Sequence, residues 1–411
     1  MQPKIYTVDE HQIVPEKIDS DAFYVIEKLR SAGHSAYLVG GGVRDLLLGR
    51  RPKDFDVSTS ASPEEIRALF RSAILIGRRF RLAHVRFGSK VIEVATFRAG
   101  DPETADLIVR DNVWGSEEED VLRRDFTING LYYDPQEQTV IDYVQGYPDI
   151  AEKILRTIGQ PDVRFIQDPV RMIRLIKFCA RFDFTIDPPT HEALLNCKEE
   201  IVKSSPVRIL EELFRMLESG ASKAFFHLLQ EYGLLRSLLP EFSKHLEQDS
   251  SMVAMQFLEE IDAQIEKQGK SPDRSVLLAA PLFPMFHAHL LQLIEKTGQM
   301  PHLGQIIREA EILIEQTFSP FFKLPRRLLT AASSVLTSQY RFVPLDGRLR
   351  KPKPIQDPFF SHSLSLFKIR CALEPDLLSH YEQWSELSYL IHEEEEEGRE
   401  PRRRRRRRRR T

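Results

Sequence analysis

Ala36-Tyr-Leu-Val-Gly-Gly-Gly-Val-Arg-Asp-Leu-Leu-Leu-Gly49, followed closely by Lys53-Asp-Phe-Asp-Val-Ser-Thr59, is the stretch on which the fold turns. Ala36–Val39 reads as a short apolar strand that passes through three glycines into a short helix. Asp54-Phe-Asp-Val-Ser-Thr59 reads as a second strand. Residues i and i+2 of a strand share a face, so Asp54 and Asp56 project side by side while Phe55 and Val57 face the core. Two adjacent carboxylates repel, and a dication removes that cost. Hard oxygen donors favour Mg²⁺ held in part by substrate phosphates. Gly40 and Gly41 let backbone N–H groups approach a triphosphate at a helix start, and Arg44, one turn on, adds a cation. The chemistry this suits is nucleotidyl transfer with two metal ions. The bland alternative, a pair of solvent-facing loop acids, fits an isolated D-x-D better than one placed a dozen residues after a strand, a glycine corner and a helix.

Outward from this core, residues 18–33 read as a helix carrying Phe23, Ile26 and Leu29 and stopped by Gly33. Ser62-Pro-Glu-Glu65 opens another helix, with serine as N-cap and proline at the first position. Ala83–Phe87 and Lys90–Arg98 alternate around Gly88-Ser89 and read as a hairpin. Two residues compete as a third acid: Glu93 in Val91-Ile-Glu-Val-Ala-Thr-Phe97, and Asp125 in Arg123-Arg-Asp-Phe-Thr-Ile-Asn129. The second motif gathers Arg123, Arg124, Asp125 and Asn129, which offer donors to phosphates and partners to ribose hydroxyls. It also reads as a salt-bridged helix start with Asp125 as N-cap. In Gln167-Asp-Pro-Val-Arg-Met-Ile-Arg174, Asp168 precedes Pro169 as an N-cap would, and Asp168, Arg171 and Arg174 share a face at i, i+3 spacing. A carboxylate beside a guanidinium accepts an amino group and donates to a neighbouring ring acceptor. That pair admits adenine and cytosine and rejects guanine and uracil. Gly77-Arg-Arg-Phe-Arg81, with Arg78 and Arg79, is a contact for RNA or triphosphate, or else an exposed turn.

Past about residue 160 the pattern is almost entirely helical, with breaks at Pro188-Pro189, Pro206, Gly220 and Pro240. The chain has 411 residues, enough for two to four domains. Its three cysteines, Cys179, Cys197 and Cys371, form neither a disulfide framework nor a C-x-x-C site, as suits a reducing compartment. The first residues lack the apolar stretch of a signal peptide, and no run of about 18 apolar residues occurs, so a cytoplasmic protein without membrane insertion is expected. The net charge of −3 hides an asymmetry: residues 393–411 hold six Glu and ten Arg, and the remainder carries 48 basic against 55 acidic side chains. Arg402 to Arg410 is an unbroken arginine run whose natural partners are phosphates. The Glu393–Glu397 run before it can fold back to screen it.

The motifs Leu38–Gly49 with Lys53–Thr59, Ile92–Arg98, Arg123–Tyr133 and Gln167–Arg174 together resemble those of the class II nucleotidyltransferases, the poly(A) polymerases and tRNA CCA-adding enzymes. The likeness runs over about residues 36–240, and Ile76–Gly88 with the arginine-rich end looks more like the poly(A) polymerase branch. It implies an α+β fold: a polymerase-beta-like nucleotidyltransferase α/β head with a small mixed sheet (1–160), then an all-helical neck (161–245) and body (246–391), and a disordered Glu/Arg tail (392–411). It implies Asp54 and Asp56 as catalytic metal ligands, with Glu93 or Asp125 completing the acidic group. Arg123, Asp125 and Asn129 would lie near triphosphate and ribose, and Asp168 with Arg171 would read the base. Gln167 departs from the family, where Glu more often precedes that Asp. No His-Asp dipeptide occurs, so the phosphohydrolase domain of some relatives is not expected.

The expected activity is template-independent addition of AMP from ATP to RNA 3′ ends, with two Mg²⁺ ions as cofactors and RNA as partner. A CCA-adding enzyme using CTP and ATP on tRNA is the near alternative. A non-catalytic RNA-binding scaffold is disfavoured by the intact acids, and a small-molecule nucleotidyltransferase by the long helical region.

Overall fold

The computed structural model describes residues 2–77, 82–100, 113–247, 251–349, 352 and 357–397. Two compact units divide between Ser204 and Ser205. That division falls inside the stretch read from sequence as one neck, because the helices before Ser204 pack with the head.

The first unit is built on an eight-stranded sheet of order β1-β8-β7-β2-β3-β6-β5-β4. The strands are β1 Lys4–Tyr6, β2 Ala36–Val39, β3 Asp56–Thr59, β4 Ala73–Ile76, β5 Leu82–Phe87, β6 Lys90–Thr96, β7 Leu131–Asp134 and β8 Thr139–Asp142. β3 and β6 pair in parallel and the other neighbours are antiparallel. The sheet is mixed, as expected, and larger than the four strands read from the sequence, since β7 and β8 extend it beyond β2, and β1 and β4 form its two edges. The hairpin holds: Phe87 pairs with Lys90 around Gly88, whose φ of +63° only glycine adopts without strain.

Helices α1 Val8–His11, α2 Ser20–Ser31, α3 Gly41–Leu47, α4 Pro63–Leu69, α5 Glu117–Leu122 and α6 Gly146–Ala151 are distributed around this sheet. α4 opens with the expected cap: Ser62 Oγ accepts from Glu65 N, and the Glu65 carboxylate accepts from Ser62 N at 2.7 Å. α2 and α4 cover one sheet face, where Val57, Ile92, Val94, Ala83 and Val85 are buried. On the other face, Val39, Phe97, Val121, Tyr132 and Ile141 form a core cluster toward β2, β7 and β8. Toward β5 and β4 that second face opens, with Ile74, Ile76 and Val91 exposed. The unit ends in α7 Pro161–Gln167, α8 Val170–Phe182 and α9 Pro188–Cys197, with a two-stranded parallel pair, β9 Ile154–Leu155 and β10 Thr185–Ile186. Asp168 sits one residue earlier than a cap would: it closes α7, Pro169 is the N-cap of α8, and the helix proper starts at Val170.

The second unit is helical: α10 Pro206–Leu217, α11 Ser222–Glu231, α12 Leu234–Leu238, α13 Pro240–Leu246, α14 Ser251–Gln268, α15 Arg274–Thr297, α16 Leu303–Phe318, α17 Arg326–Phe342, α18 Phe360–Leu373 and α19 Leu378–Glu397. α15 is long and apolar enough by composition to cross a membrane, although it holds no unbroken apolar run of that length. Half of its apolar window is buried, and it packs against α14, α17 and α18 as a central core helix. α19 runs through Glu397, so the glutamate run assigned to a disordered tail is helical, in keeping with the high helix propensity of Glu. Arg78, Arg79 and the run Arg402 to Arg410 lie outside the described residues.

Candidate active site

The β2–α3 corner is tight because Gly40 takes φ +65° and ψ −127°, a region closed to other residues. A Cβ on Gly40 would stand 3.1 Å from Arg124 Nη1. β3 then starts at Asp56, with Asp54 exposed just ahead of it, while Phe55 and Val57 turn into the core. Burial alternates as the sequence implied, but the strand starts two residues later than read, so Asp54 precedes it instead of sharing its pleat with Asp56. Asp56 pairs in register with Glu93 on the parallel strand β6. Burial, with Glu93 and Asp54 close by, pushes the Asp56 carboxyl up to about 6, against a partial counterpull from Arg124.

These donors suit a hard divalent cation, because carboxylate oxygens that hold protons against one another gain most from a nearby positive charge. The acids do not form a ready cage, however. Among the described residues no three His, Cys, Asp or Glu side chains are grouped to hold an ion. The half-exposed Glu93 carboxylate meets His84 across the hairpin instead.

Asp125, the other third-acid candidate, stands in a separate network. Its Oδ1 accepts from Asn129 Nδ2 at 3.0 Å and from Phe126 N at 2.9 Å, and its Oδ2 meets Arg174 Nη1 at 3.4 Å. Burial opposes its charge, but Arg174, Asn129 and Arg171 overcome that and hold its carboxyl below the usual range. Asn129 Oδ1 in turn accepts from Arg44 Nη1 at 2.6 Å. Arg44 was expected to face phosphates. It is buried instead, with Nε and Nη2 on Asp45 and its guanidinium against the rings of Phe178 and Phe182. In this structure it acts on the site by orienting Asn129.

Arg171 also makes contacts that tie α8 to α7 and to the C-terminal end of α5. Its Nη1 donates to the Arg164 carbonyl and its Nη2 to the Arg123 carbonyl, both at 3.1 Å, so it ties α8 to the segment carrying Arg123. Asp168 lies at the α7–α8 junction, and Arg174, one turn beyond Arg171, reaches Asp125. Gln167 is buried and accepts from Arg164 Nη1 at 2.8 Å.

Sequence reasoning missed the residue that organises the arginines. Asp120 is fully buried on α5 and receives Arg123 Nε and Nη2, Arg124 Nη2, the Tyr132 hydroxyl and the Arg98 backbone N–H. Burial opposes its charge, yet Arg124 and Arg123 hold its carboxyl far below the usual range. Arg124 thus fixed also reaches Ser58 Oγ and the Asn129 carbonyl, beside Gly40. The signal was present in Glu117-Glu-Glu-Asp-Val-Leu-Arg-Arg124, where Asp120 stands three and four residues before the two arginines. Arg164 was missed as well. It is almost wholly buried, donating to the Leu122 and Arg124 carbonyls, and burial beside Arg171 pulls its pKa down to about 9.

Comparison with known proteins agrees with this architecture. A poly A polymerase head domain model matches residues 36–156, and a model described as a probable RNA and SrmB-binding site of polymerase A matches residues 183–246. Poly(A) polymerase I of Salmonella typhi is 37% identical over 395 residues, covering 92% of this chain and 83% of its own. The CCA-adding enzyme of Bacillus velezensis is 29% identical over 84% of this chain and 83% of its own. Among solved structures, the Bacillus stearothermophilus CCA-adding enzyme in complex with CTP superposes with a TM-score of 0.63 at 26% identity, covering 89% of this chain and 81% of that one. With that identity extending over nearly the whole chain, the protein belongs to the poly(A) polymerase family of nucleotidyltransferases, to which the CCA-adding enzymes are related.

Proposed function

We propose that the protein lengthens RNA 3′ ends by transferring AMP from ATP, without a template, in the cytoplasm. The RNA 3′-hydroxyl loses its proton and forms a bond to the α-phosphorus of ATP, the bond to the bridging oxygen breaks, and pyrophosphate leaves with that oxygen. Asp54 and Asp56, with Glu93 at the margin, would hold two Mg²⁺ ions. When bound, these favour ionisation of the attacking hydroxyl and offset the charge that grows on the leaving group. The chain's own contribution is placement. Gly40 and Gly41 leave room for the triphosphate to approach the backbone. Asn129 and Asp125, held by Arg44 and Arg174, face the ribose. Asp168 with Arg171 and Arg174 borders the base, and Arg123 adds charge near the phosphates. The observation that supports the reading most strongly is the register of Asp56 with Glu93 beside Asp54, next to a corner whose Gly40 backbone conformation only glycine adopts.

Primer extension separates this reading from CCA addition. An unstructured RNA primer with ATP alone is expected to grow long tails. A tRNA substrate ending before CCA that accepts CTP twice and ATP once and then stops would contradict the proposal.

The arginine run adds sequence-independent, salt-sensitive RNA affinity. Removing residues 399–411 is expected to weaken RNA binding in 50 mM salt by about tenfold or more, flatten its salt dependence, and leave ATP binding intact. Filter binding across a salt series checks this, and unchanged RNA affinity at low salt would contradict it.

A further inference from the structure

Ile74, His84, Glu93 and Asp56 lie in one register row across β4, β5, β6 and β3. Side chains paired across neighbouring strands point to the same face. β6 lies between β5 and β3, so the Glu93 carboxylate has His84 on one side and Asp56 on the other. It takes the histidine: Glu93 Oε1 lies 3.2 Å from His84 Nε2, with the histidine side chain 23% exposed and the glutamate 47%. A ring carrying its proton on Nε2 can donate to the carboxylate at that distance. The carboxylate is engaged on the β5 side while its charge still raises the Asp56 carboxyl, and no three-ligand group forms at the acids among the described residues.

We propose that His84 is a positioning residue that holds Glu93 on the β5 side of β6, so that Asp54 and Asp56 meet a divalent cation first as a two-carboxylate site and Glu93 joins only by giving up the histidine. The inference rests on the reading that Asp54 and Asp56 hold the cation. The physical argument is competition for one carboxylate. Neighbouring strands are about 4.8 Å apart, close enough for Glu93 to reach Asp56, and like charges there repel in the absence of metal. The His84 contact gives Glu93 a partner on the β5 side, although its charge still raises the Asp56 carboxyl. A cation that recruits Glu93 must break the contact, so His84 weakens binding of free metal. A nucleotide-borne ion, already partly ligated by phosphates, depends on Glu93 less.

The test uses Mn²⁺ as the probe, titrated into the full-length, nucleotide-free protein and followed by electron paramagnetic resonance. Variants are His84→Ala, His84→Gln, Glu93→Gln, the double variant His84→Ala with Glu93→Gln, and Asp54→Ala, each checked for native circular dichroism. His84→Ala is expected to bind Mn²⁺ about three- to tenfold more tightly than wild type. His84→Gln keeps an N–H donor and is expected to stay within about twofold. In the Glu93→Gln background the His84→Ala gain should vanish, the mark of a coupled pair. Unchanged or weaker binding by His84→Ala would overturn the proposal, as would a gain that survives Glu93→Gln. Failure of the underlying site reading looks different: Asp54→Ala would then bind Mn²⁺ as wild type does, whatever His84 contributes.

Discussion

Replacing Asp56 by Asn is expected to abolish AMP incorporation and, at the same time, to stabilise the metal-free protein. The loss of activity follows from removing a cation ligand at the reacting phosphorus, a loss of at least about a thousandfold in rate, or about 4 kcal/mol of transition-state stabilisation. The gain in stability follows from the raised Asp56 carboxyl. Burial beside Glu93 and Asp54 puts its folded pKa at about 6, above the ordinary value of 3.8. The folded state therefore holds this proton more tightly than the unfolded chain does. The resulting penalty is absent below the ordinary value, grows as pH rises through the interval, and is complete above about 6. A shift of that size corresponds to about 3 kcal/mol at neutral pH. Asn carries no charge and escapes it. Denaturant unfolding in EDTA at pH 7 and pH 4 checks the sign: the variant should exceed wild type at pH 7, with the gap closing at pH 4. An Asp56→Asn protein less stable than wild type at pH 7 would show that the carboxylates do not strain one another. The activity of the wild type should likewise fall as pH drops below about 6, and Mg²⁺ should move that limb lower by favouring the ionised form.

The second large effect is expected at Asp120. Asp120→Asn removes the negative charge shared by Arg123 and Arg124 and puts an amide N–H₂ among donors. Breaking a buried pair while leaving the cations in place costs about 3–5 kcal/mol, enough to use up much of a domain's stability. The sign with pH is opposite to that of Asp56. A carboxyl held below its ordinary value stabilises at neutral pH, and that contribution is lost only as acid titrates it. Thermal unfolding of Asp120→Asn at pH 7 should show early melting. Near wild-type stability would mean that the two arginines find other partners. Asp120→Glu tests geometry alone, since it keeps the charge and displaces both guanidinium groups.

The difference between these two acids shows what the sequence made legible. Asp54, Asp56 and Glu93 could be picked out because strand alternation is local: Phe55, Val57, Ile92 and Val94 declare the buried face, and the acids fall on the other. The Ser62 cap and the Gly88 turn were readable for the same reason, each depending on a few neighbouring residues. What could not be read is which polar group each arginine meets. Arg44 looked like a free cation because its contact with Asn129 spans 85 residues and the adjacent Asp45 was not read as its partner, and two of the acceptors of Arg171 are backbone carbonyls, which leave no trace in composition. The His84–Glu93 contact was hidden in the same way. The Gly88-Ser89 turn sets His84 opposite Glu93, but which neighbour the Glu93 carboxylate takes is decided by side-chain geometry. α15 lies in the stretch read as helical, and packing on several sides sustains it through Pro281 and Pro284, which with two histidines interrupt its apolar pattern.

The central claim is that Asp54 and Asp56 grip the cation that accompanies ATP. The direct measurement is anomalous diffraction from crystals of the full chain grown with Mn²⁺ and an ATP analogue whose α,β-bridging oxygen is replaced by a methylene group. A manganese peak within coordination distance of both carboxylates and of the α-phosphate is the predicted result. A triphosphate bound without metal at Asp54 and Asp56, or manganese seated elsewhere, would contradict the account.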